Sequence, residues 1–100
     1  MTERDIIEFL NANGFYVWRN QSGSVALKGG RHMQLAPKGT ADVIGFHKAT
    51  GLIVAIERKR EDRISSEQVE FIKVVQQAGG IAGVARTLED VQEIINKTPA

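Results

Sequence analysis

A run of five apolar residues, Leu52 to Ile56, constrains the fold more than any other feature of this chain. A continuous apolar run of this length is typical of a strand that is buried on both faces of a sheet. The chain then continues without a turn signal into six charged residues, ERKRED, at positions 57 to 62. The sequence therefore predicts a core strand that ends in a cluster of charge.

Length and composition limit the class of protein. A chain of 100 residues with 42% hydrophobic content is expected to form one domain, residues 1–100, around a single core. It has no cysteine, so disulfides and thiolate zinc sites are excluded. No apolar run approaches the ~20 residues that span a bilayer, and the N-terminus lacks the pattern of a signal peptide. We therefore expect a cytoplasmic protein without membrane contact.

The remaining pattern predicts an α/β fold with a mixed central sheet flanked by helices. Predicted helices cover residues 3–13, a segment from the Ser65 cap to Gly79, and a segment after Thr87. Predicted strands cover residues 15–19, 41–47, 52–59 and 81–86. Residues 20–40 alternate turn signals with short apolar pieces and predict a hairpin-like excursion with loops. The order of the core elements is α-β-β-β-α-β-α.

Charge is distributed unevenly along the chain, although the net charge is only +1. Residues 15 to 63 hold nine basic and four acidic side chains, whereas both flanking segments are net negative. This asymmetry suits a polyanion bound on one side of the molecule, although an ordinary solvated surface explains it equally well. If the partner is a nucleic acid, the candidate phosphate contacts are Lys28, Arg31, Lys38 and Arg60.

Two carboxylates are predicted to meet at the end of the core strand. Asp42 opens one strand and Glu57 ends the next, and antiparallel pairing brings such positions together. Adjacent carboxylates repel each other unless a cation lies between them, and a hard divalent ion such as Mg²⁺ binds oxygen ligands. Alternation along the strand places Lys59 on the same face as Glu57, where it can stabilise charge on a phosphate. An exposed surface pair of Glu57 and Lys59 remains the alternative.

Two further polar residues are predicted to point toward the same place. On a helical wheel Glu3 falls between Ile7 and Leu10, in the middle of the apolar face, so its carboxylate needs a partner. Gln68 is the third residue after the Ser65 cap, and its amide has a second end that can hold a ligand carboxylate or Lys59.

These motifs together resemble the VRR-NUC branch of the PD-(D/E)XK nuclease superfamily, over nearly the whole chain. The shared motifs are G-x-x-D at residues 39–42, E-x-K at 57–59, S-x-x-Q at 65–68, the helical Glu3, and a following strand at 14–20. Two positions depart from the pattern. Arg58 stands where a hydrophobic residue is usual, and Ala41 replaces the proline that names the superfamily.

The resemblance implies a restriction-endonuclease-like fold and an endonuclease dependent on Mg²⁺ or Mn²⁺. It implies Glu3, Asp42, Glu57 and the backbone carbonyl of Arg58 as metal ligands, Lys59 as the catalytic lysine and Gln68 as a supporting residue. Stand-alone members of this size look like homodimers that cut branched DNA, including four-way (Holliday) junctions. A nuclease acting on flaps or other DNA ends, and a non-catalytic nucleic-acid-binding module, remain as alternatives.

Overall fold

The computed structural model describes residues 1–21, 24–59 and 63–97. Its helices are α1 (Glu3–Asn11), α2 (Ser66–Gln77) and α3 (Leu88–Asn96). Its strands are β1 (Phe15–Arg19), β2 (Ser24–Ala26), β3 (His32–Gln34), β4 (Val43–His47), β5 (Ile53–Arg58) and β6 (Ile81–Ala85). Each predicted core element is present, within two residues at either end. The structure is thus α/β, as predicted.

Each helix begins at a capping box. Thr2, Ser65 and Thr87 accept a hydrogen bond from the third backbone amide of their helices, and the side chain three residues later bonds back. This reciprocal pair satisfies two amides that a helix start would otherwise leave without partners. The longest described helix, α2, has 12 residues, and none of the described helices is long and apolar enough to cross a membrane.

Four strands form a mixed sheet in the order β1-β4-β5-β6. β4 is antiparallel to both β1 and β5, whereas β5 and β6 are parallel. One face packs on α1 and α3, and there Val54 and Ile56 are fully buried. The other face packs on α2, where Ala55 is fully buried. The apolar run is therefore buried on both faces from Val54 to Ile56, as its composition predicts, whereas Ile53 near its start is 39% exposed.

β2 and β3 form a separate antiparallel hairpin, which we call the hairpin arm (residues 24–34). A 3₁₀ turn at Lys28–Gly30 lies between the two strands. The arm is inserted between the end of β1 and the start of β4, so both of its connections lie at one end of the main sheet. The Cα distribution extends 49 Å along its longest axis against 30 and 26 Å along the others.

On the α2 side of the sheet, the described helices leave β1 and β4 uncovered, because α2 packs over β5 and β6 while α1 packs on the opposite side. Tyr16, Trp18 and Phe46 are 57%, 48% and 40% exposed on this face, and the rings of Tyr16 and Phe46 stack with centroids 5.6 Å apart. From its sequence context, Trp18 suits the core or a dimer surface better than a platform for stacking nucleic-acid bases. Its exposure excludes the core.

In each outer strand of the sheet, the backbone forms a hydrogen bond with a side-chain amide from the preceding helix. Asn11 of α1 accepts from the backbone N–H of Val17 at 2.9 Å and donates to the Val17 carbonyl at 3.4 Å. Gln76 of α2 donates to the Ala82 carbonyl in β6 at 2.9 Å. These bonds fix the helices against the sides of the sheet.

Gly39 holds the start of α2 close to the turn that leads into β4. Its φ of +88° is in the left-handed region, and a Cβ at this position would collide with the backbone of Glu67. The approach requires glycine both for its conformation and for its lack of a side chain. It places the capped end of α2 beside Asp42.

We expect Gly39→Ala to destabilise the protein by about 2 kcal/mol more than Gly51→Ala. Both glycines have positive φ, so each alanine costs about 1 kcal/mol of backbone strain. A Cβ at Gly51 meets nothing within 4 Å, whereas at Gly39 it must displace backbone. Urea denaturation of the two variants measures the difference, and equal midpoints would show that the contact with α2 contributes nothing to stability.

Candidate active site

The predicted site residues meet at one end of the main sheet. β1, β5 and β6 end there, β4 begins there, and the N-termini of α1 and α2 lie at the same end. A cavity of about 260 Å³ opens at this edge. It is lined by Glu3, Asp42, Glu57, Arg58, Lys59, Arg63, Ile64 and Gln68. All six residues predicted as catalytic or metal-ligating groups are therefore brought together.

Asp42 is fixed by the end of the neighbouring strand. Its Oδ2 atom accepts a hydrogen bond of 2.9 Å from the backbone N–H of Arg58. The register of the antiparallel pair aligns Val43 with Ile56, which sets Asp42 beside the last residues of β5. The predicted juxtaposition of Asp42 and Glu57 is present.

Glu57 is buried without a cationic partner among the described residues. Glu57 is only 5% exposed, and its Oε2 atom has no hydrogen-bond partner. Burial, together with the adjacent Asp42 carboxylate, raises the pKa of Glu57 to about 8. At neutral pH the folded protein therefore holds a proton on a group that is normally ionised.

Gln68 uses both ends of its amide, as predicted. Its Oε1 atom accepts from the backbone N–H of Ser65 at 2.8 Å, which completes the capping box. Its Nε2 atom donates to Oε1 of Glu57 at 3.1 Å. The same residue thus begins α2 and orients the buried carboxyl group.

Arg58 and Lys59 directly follow Glu57 in the chain, and both line the cavity. Lys59 is half-buried and lines the cavity, and its backbone N–H donates to the Ala85 carbonyl at 2.9 Å. This bond continues the pairing of β5 with β6 by one residue. The Arg58 side chain turns toward α1, where its Nε donates to the Met1 carbonyl at 2.9 Å.

Glu3 is largely buried, but its partner is not the one expected. The side chain is 15% exposed and lines the cavity, in agreement with its predicted position on the apolar face of the helix. Its Oε2 atom forms an ion pair of 2.9 Å with Nε of Arg19, the last residue of β1. Arg19 belongs to the Gly-x-x-Val-x-Arg-Asn-like strand at 14–20 on which the family resemblance partly rests. No role was predicted for it, because no local spacing links a helix residue to the end of the following strand.

The predicted phosphate contacts are dispersed. Lys28 and Arg31 are exposed at the turn of the hairpin arm, away from the cavity. Lys38 is exposed and pairs with Glu67 of α2 at 3.5 Å. Arg60 lies outside the described residues. Arg63, a basic residue outside this set of four, lines the cavity itself.

The donors fit one hard divalent cation held by two carboxylates. Glu57 Oε2 is a buried oxygen without a partner, it lies beside the Asp42 carboxylate, and the backbone carbonyl of Arg58 is close in sequence. Oxygen donors of this kind suit Mg²⁺ and Mn²⁺. No group of three or more Asp, Glu or His side chains in the described part of the chain is arranged to hold a metal ion.

Comparisons with known proteins add no family assignment. No protein-family model matches the chain, and a search of curated proteins found no match. The function is therefore argued from the geometry and chemistry of the cavity.

We expect Glu57→Gln to remove a pH dependence of stability. The pKa of Glu57 is raised from 4.5 to about 8, so the folded state holds this proton more tightly than the unfolded state. The resulting stability is complete below pH 4.5 and is lost as the pH rises through about 8. In EDTA, the free energy of unfolding should fall by on the order of a few kcal/mol over this range, and the Gln variant should lack this fall.

The measurement is urea denaturation of both proteins at several pH values. The difference between the two curves isolates Glu57, because all other titrating groups are shared. Parallel curves would mean that Glu57 is ionised at neutral pH and that its environment already compensates the charge.

Proposed function

We propose that this chain is a metal-dependent DNA endonuclease of the VRR-NUC type. The observation that carries the proposal is the buried, unpartnered Glu57 carboxyl oxygen, set beside Asp42 in a cavity that also contains Lys59 and Gln68. A buried pair of carboxylates costs stability, and a cation bound between them offsets that cost. In this proposal α1, β1, β4, β5, α2, β6 and α3 correspond to a restriction-endonuclease-like core.

Asp42, Glu57 and the Arg58 carbonyl are the proposed ligands for Mg²⁺ or Mn²⁺. When bound, such a cation supplies Lewis-acid polarisation of a phosphodiester and lowers the pKa of nearby water. Gln68 holds Glu57 Oε1, which leaves the Oε2 atom for the metal. Glu57 must lose its proton to act as a ligand, so metal binding at neutral pH releases a proton.

Lys59 is the proposed catalytic cation. Lys59 lines the cavity two residues after Glu57, and alternation along the extended chain puts both side chains on the same face of the sheet. There it stabilises the negative charge that develops on the phosphate oxygens when the ester bond breaks. The reaction is hydrolysis: water adds to phosphorus, and the bond from phosphorus to the leaving oxygen of the sugar breaks.

The proposed substrate is branched DNA, with four-way junctions cut by a homodimer in the cytoplasm of a bacterial or phage-infected cell. One cavity cuts one strand, so paired cuts need two copies, and a two-fold dimer supplies them. Exposed apolar side chains on the hairpin arm and directly after it suit such an interface: Leu27, Met33 and Leu35 are 41%, 49% and 40% exposed. The uncovered aromatic face at Tyr16, Trp18 and Phe46 is a second candidate interface.

To test catalysis, the protein is incubated with four-way junction, flap, single-stranded and linear duplex DNA, in the presence of Mg²⁺, Mn²⁺ or EDTA. We expect metal-dependent cleavage of the junction, abolished in Glu57→Gln. Lys59→Ala should retain metal binding and cleave slower by a factor of roughly 10² or more. The control Lys48→Ala, at the opposite end of the sheet, should cleave at the wild-type rate.

The solution mass, measured on the same preparation, separates the parts of the proposal. Junction cleavage by a species of twice the chain mass supports both the activity and the dimer. Cleavage of flaps by a monomer supports only the nuclease. Binding of DNA without cleavage in either metal would instead favour a non-catalytic binding module.

The second test concerns the basic residues of the hairpin arm and of the segment that follows it. Neutralising Lys28, Arg31 and Lys38 together should weaken binding to all DNA sequences about equally and reduce the slope of log affinity against log salt by about two to three. Lys38 contributes least, because Glu67 already neutralises it in part. An unchanged salt slope would place the DNA on another surface, with Arg63 as the next residue to test.

A further inference from the structure

The ion pair between Arg19 and Glu3 differs from an ordinary surface pair. Arg19 is 70% exposed, whereas the Glu3 side chain that it contacts is 15% exposed and lines the cavity. Arg4 and Glu8 form a comparable pair through Nε at 3.1 Å, but there both side chains are exposed, at 86% and 65%. Only the first pair therefore joins a buried carboxylate of the site to a guanidinium in solvent.

The ion pair leaves most of the Arg19 guanidinium available to a ligand. The Nε atom lies 2.9 Å from Glu3 Oε2, and among the described residues this side chain has no hydrogen bond and no other ion pair. The two terminal amino groups supply four further N–H donors in one plane, which is the arrangement that binds phosphate with two parallel hydrogen bonds. Arg19 does not line the cavity itself, but its Nε atom contacts Glu3, which does, so the guanidinium is adjacent to the cavity.

The charges around the cavity also favour a phosphate contact by Arg19. A phosphodiester entering the cavity meets the carboxyl groups of Glu3, Asp42 and Glu57. Arg19 neutralises Glu3 and so reduces the repulsion of the phosphate. Arg19 holds Glu3 Oε2, which leaves only Oε1 for a metal, and the described carboxylates form no three-ligand group.

We propose that Arg19 binds a DNA phosphate beside the bond that is cut, and that Glu3 positions Arg19 instead of ligating the metal. The inference rests on the proposed nuclease function and deepens it. It assigns the metal to Asp42 and Glu57 alone among the side chains of the cavity. It also gives the buried glutamate of α1 a role in substrate binding.

The experiment separates metal binding from DNA binding. Isothermal titration with Mn²⁺ in the absence of DNA reports the metal site, and fluorescence anisotropy with a labelled four-way junction in EDTA reports the phosphate contact. The proteins are the wild type, Glu3→Gln, Arg19→Ala, Arg19→Lys, the Glu3→Gln/Arg19→Ala double variant, Asp42→Asn and the control Arg4→Ala. Thermal melting confirms that each variant is folded.

We expect Glu3→Gln to keep the Mn²⁺ Kd within about twofold of the wild type, whereas Asp42→Asn weakens it by about tenfold or more. Arg19→Ala should weaken junction binding about tenfold and reduce the salt slope by about one, and Arg4→Ala should change neither. In the Glu3→Gln background, Arg19→Ala should cost less than about threefold, because the guanidinium is no longer held in place. Arg19→Lys keeps the charge and folds as the wild type, but without the planar fork it should lose about threefold.

Two outcomes would overturn the inference. A loss of Mn²⁺ affinity in Glu3→Gln as large as in Asp42→Asn would make Glu3 a metal ligand. A junction affinity in Arg19→Ala equal to that of Arg4→Ala would exclude the phosphate contact. A wild-type protein that binds neither Mn²⁺ nor junction DNA would be a separate result, because it removes the proposed nuclease function itself.

Discussion

The carboxyl group of Glu57 is buried beside Asp42 at the end of β5, and the arrangement of neighbouring elements compensates for the cost of keeping it there. Removing a carboxylate from water is unfavourable, so the group takes up a proton unless a cation is near. Gln68 supplies one hydrogen bond, while Asp42 is held by a backbone amide instead of a cation. The site therefore suits a bound cation, and the proton on Glu57 compensates the buried negative charge only in part.

The topology of the sheet explains why so many functional groups come from separate parts of the chain. Antiparallel β4 and β5 bring the start of one strand to the end of the other, and the parallel crossover through α2 returns to the same edge. Glycine at position 39 allows the first turn of α2 to approach this edge closely. The hairpin arm is inserted at the same end of the sheet, between the end of β1 and the start of β4.

Local patterns predicted most of the fold and most of the cavity. Capping residues and apolar spacing gave the helices, because these signals lie within a few residues of each other. Alternation along β5 was sufficient to place Glu57 and Lys59 on one face, and the two ends of the Gln68 amide predicted both of its bonds. The Arg19 pair and the exposure of Trp18 were not predictable in this way. Both depend on which elements meet across the sheet, and α2 covers only part of it.

The two hydrogen bonds between Asn11 and Val17 also limit how copies of this chain can associate. An outer strand with free backbone groups is a template for another strand, and repeated addition at such an edge leads to open-ended fibres. At the middle of β1, the Asn11 amide already occupies one backbone donor and one acceptor. Extending the sheet there would require breaking both bonds. Assembly by contact between faces is thus favoured, and a two-fold contact of this kind closes after two copies.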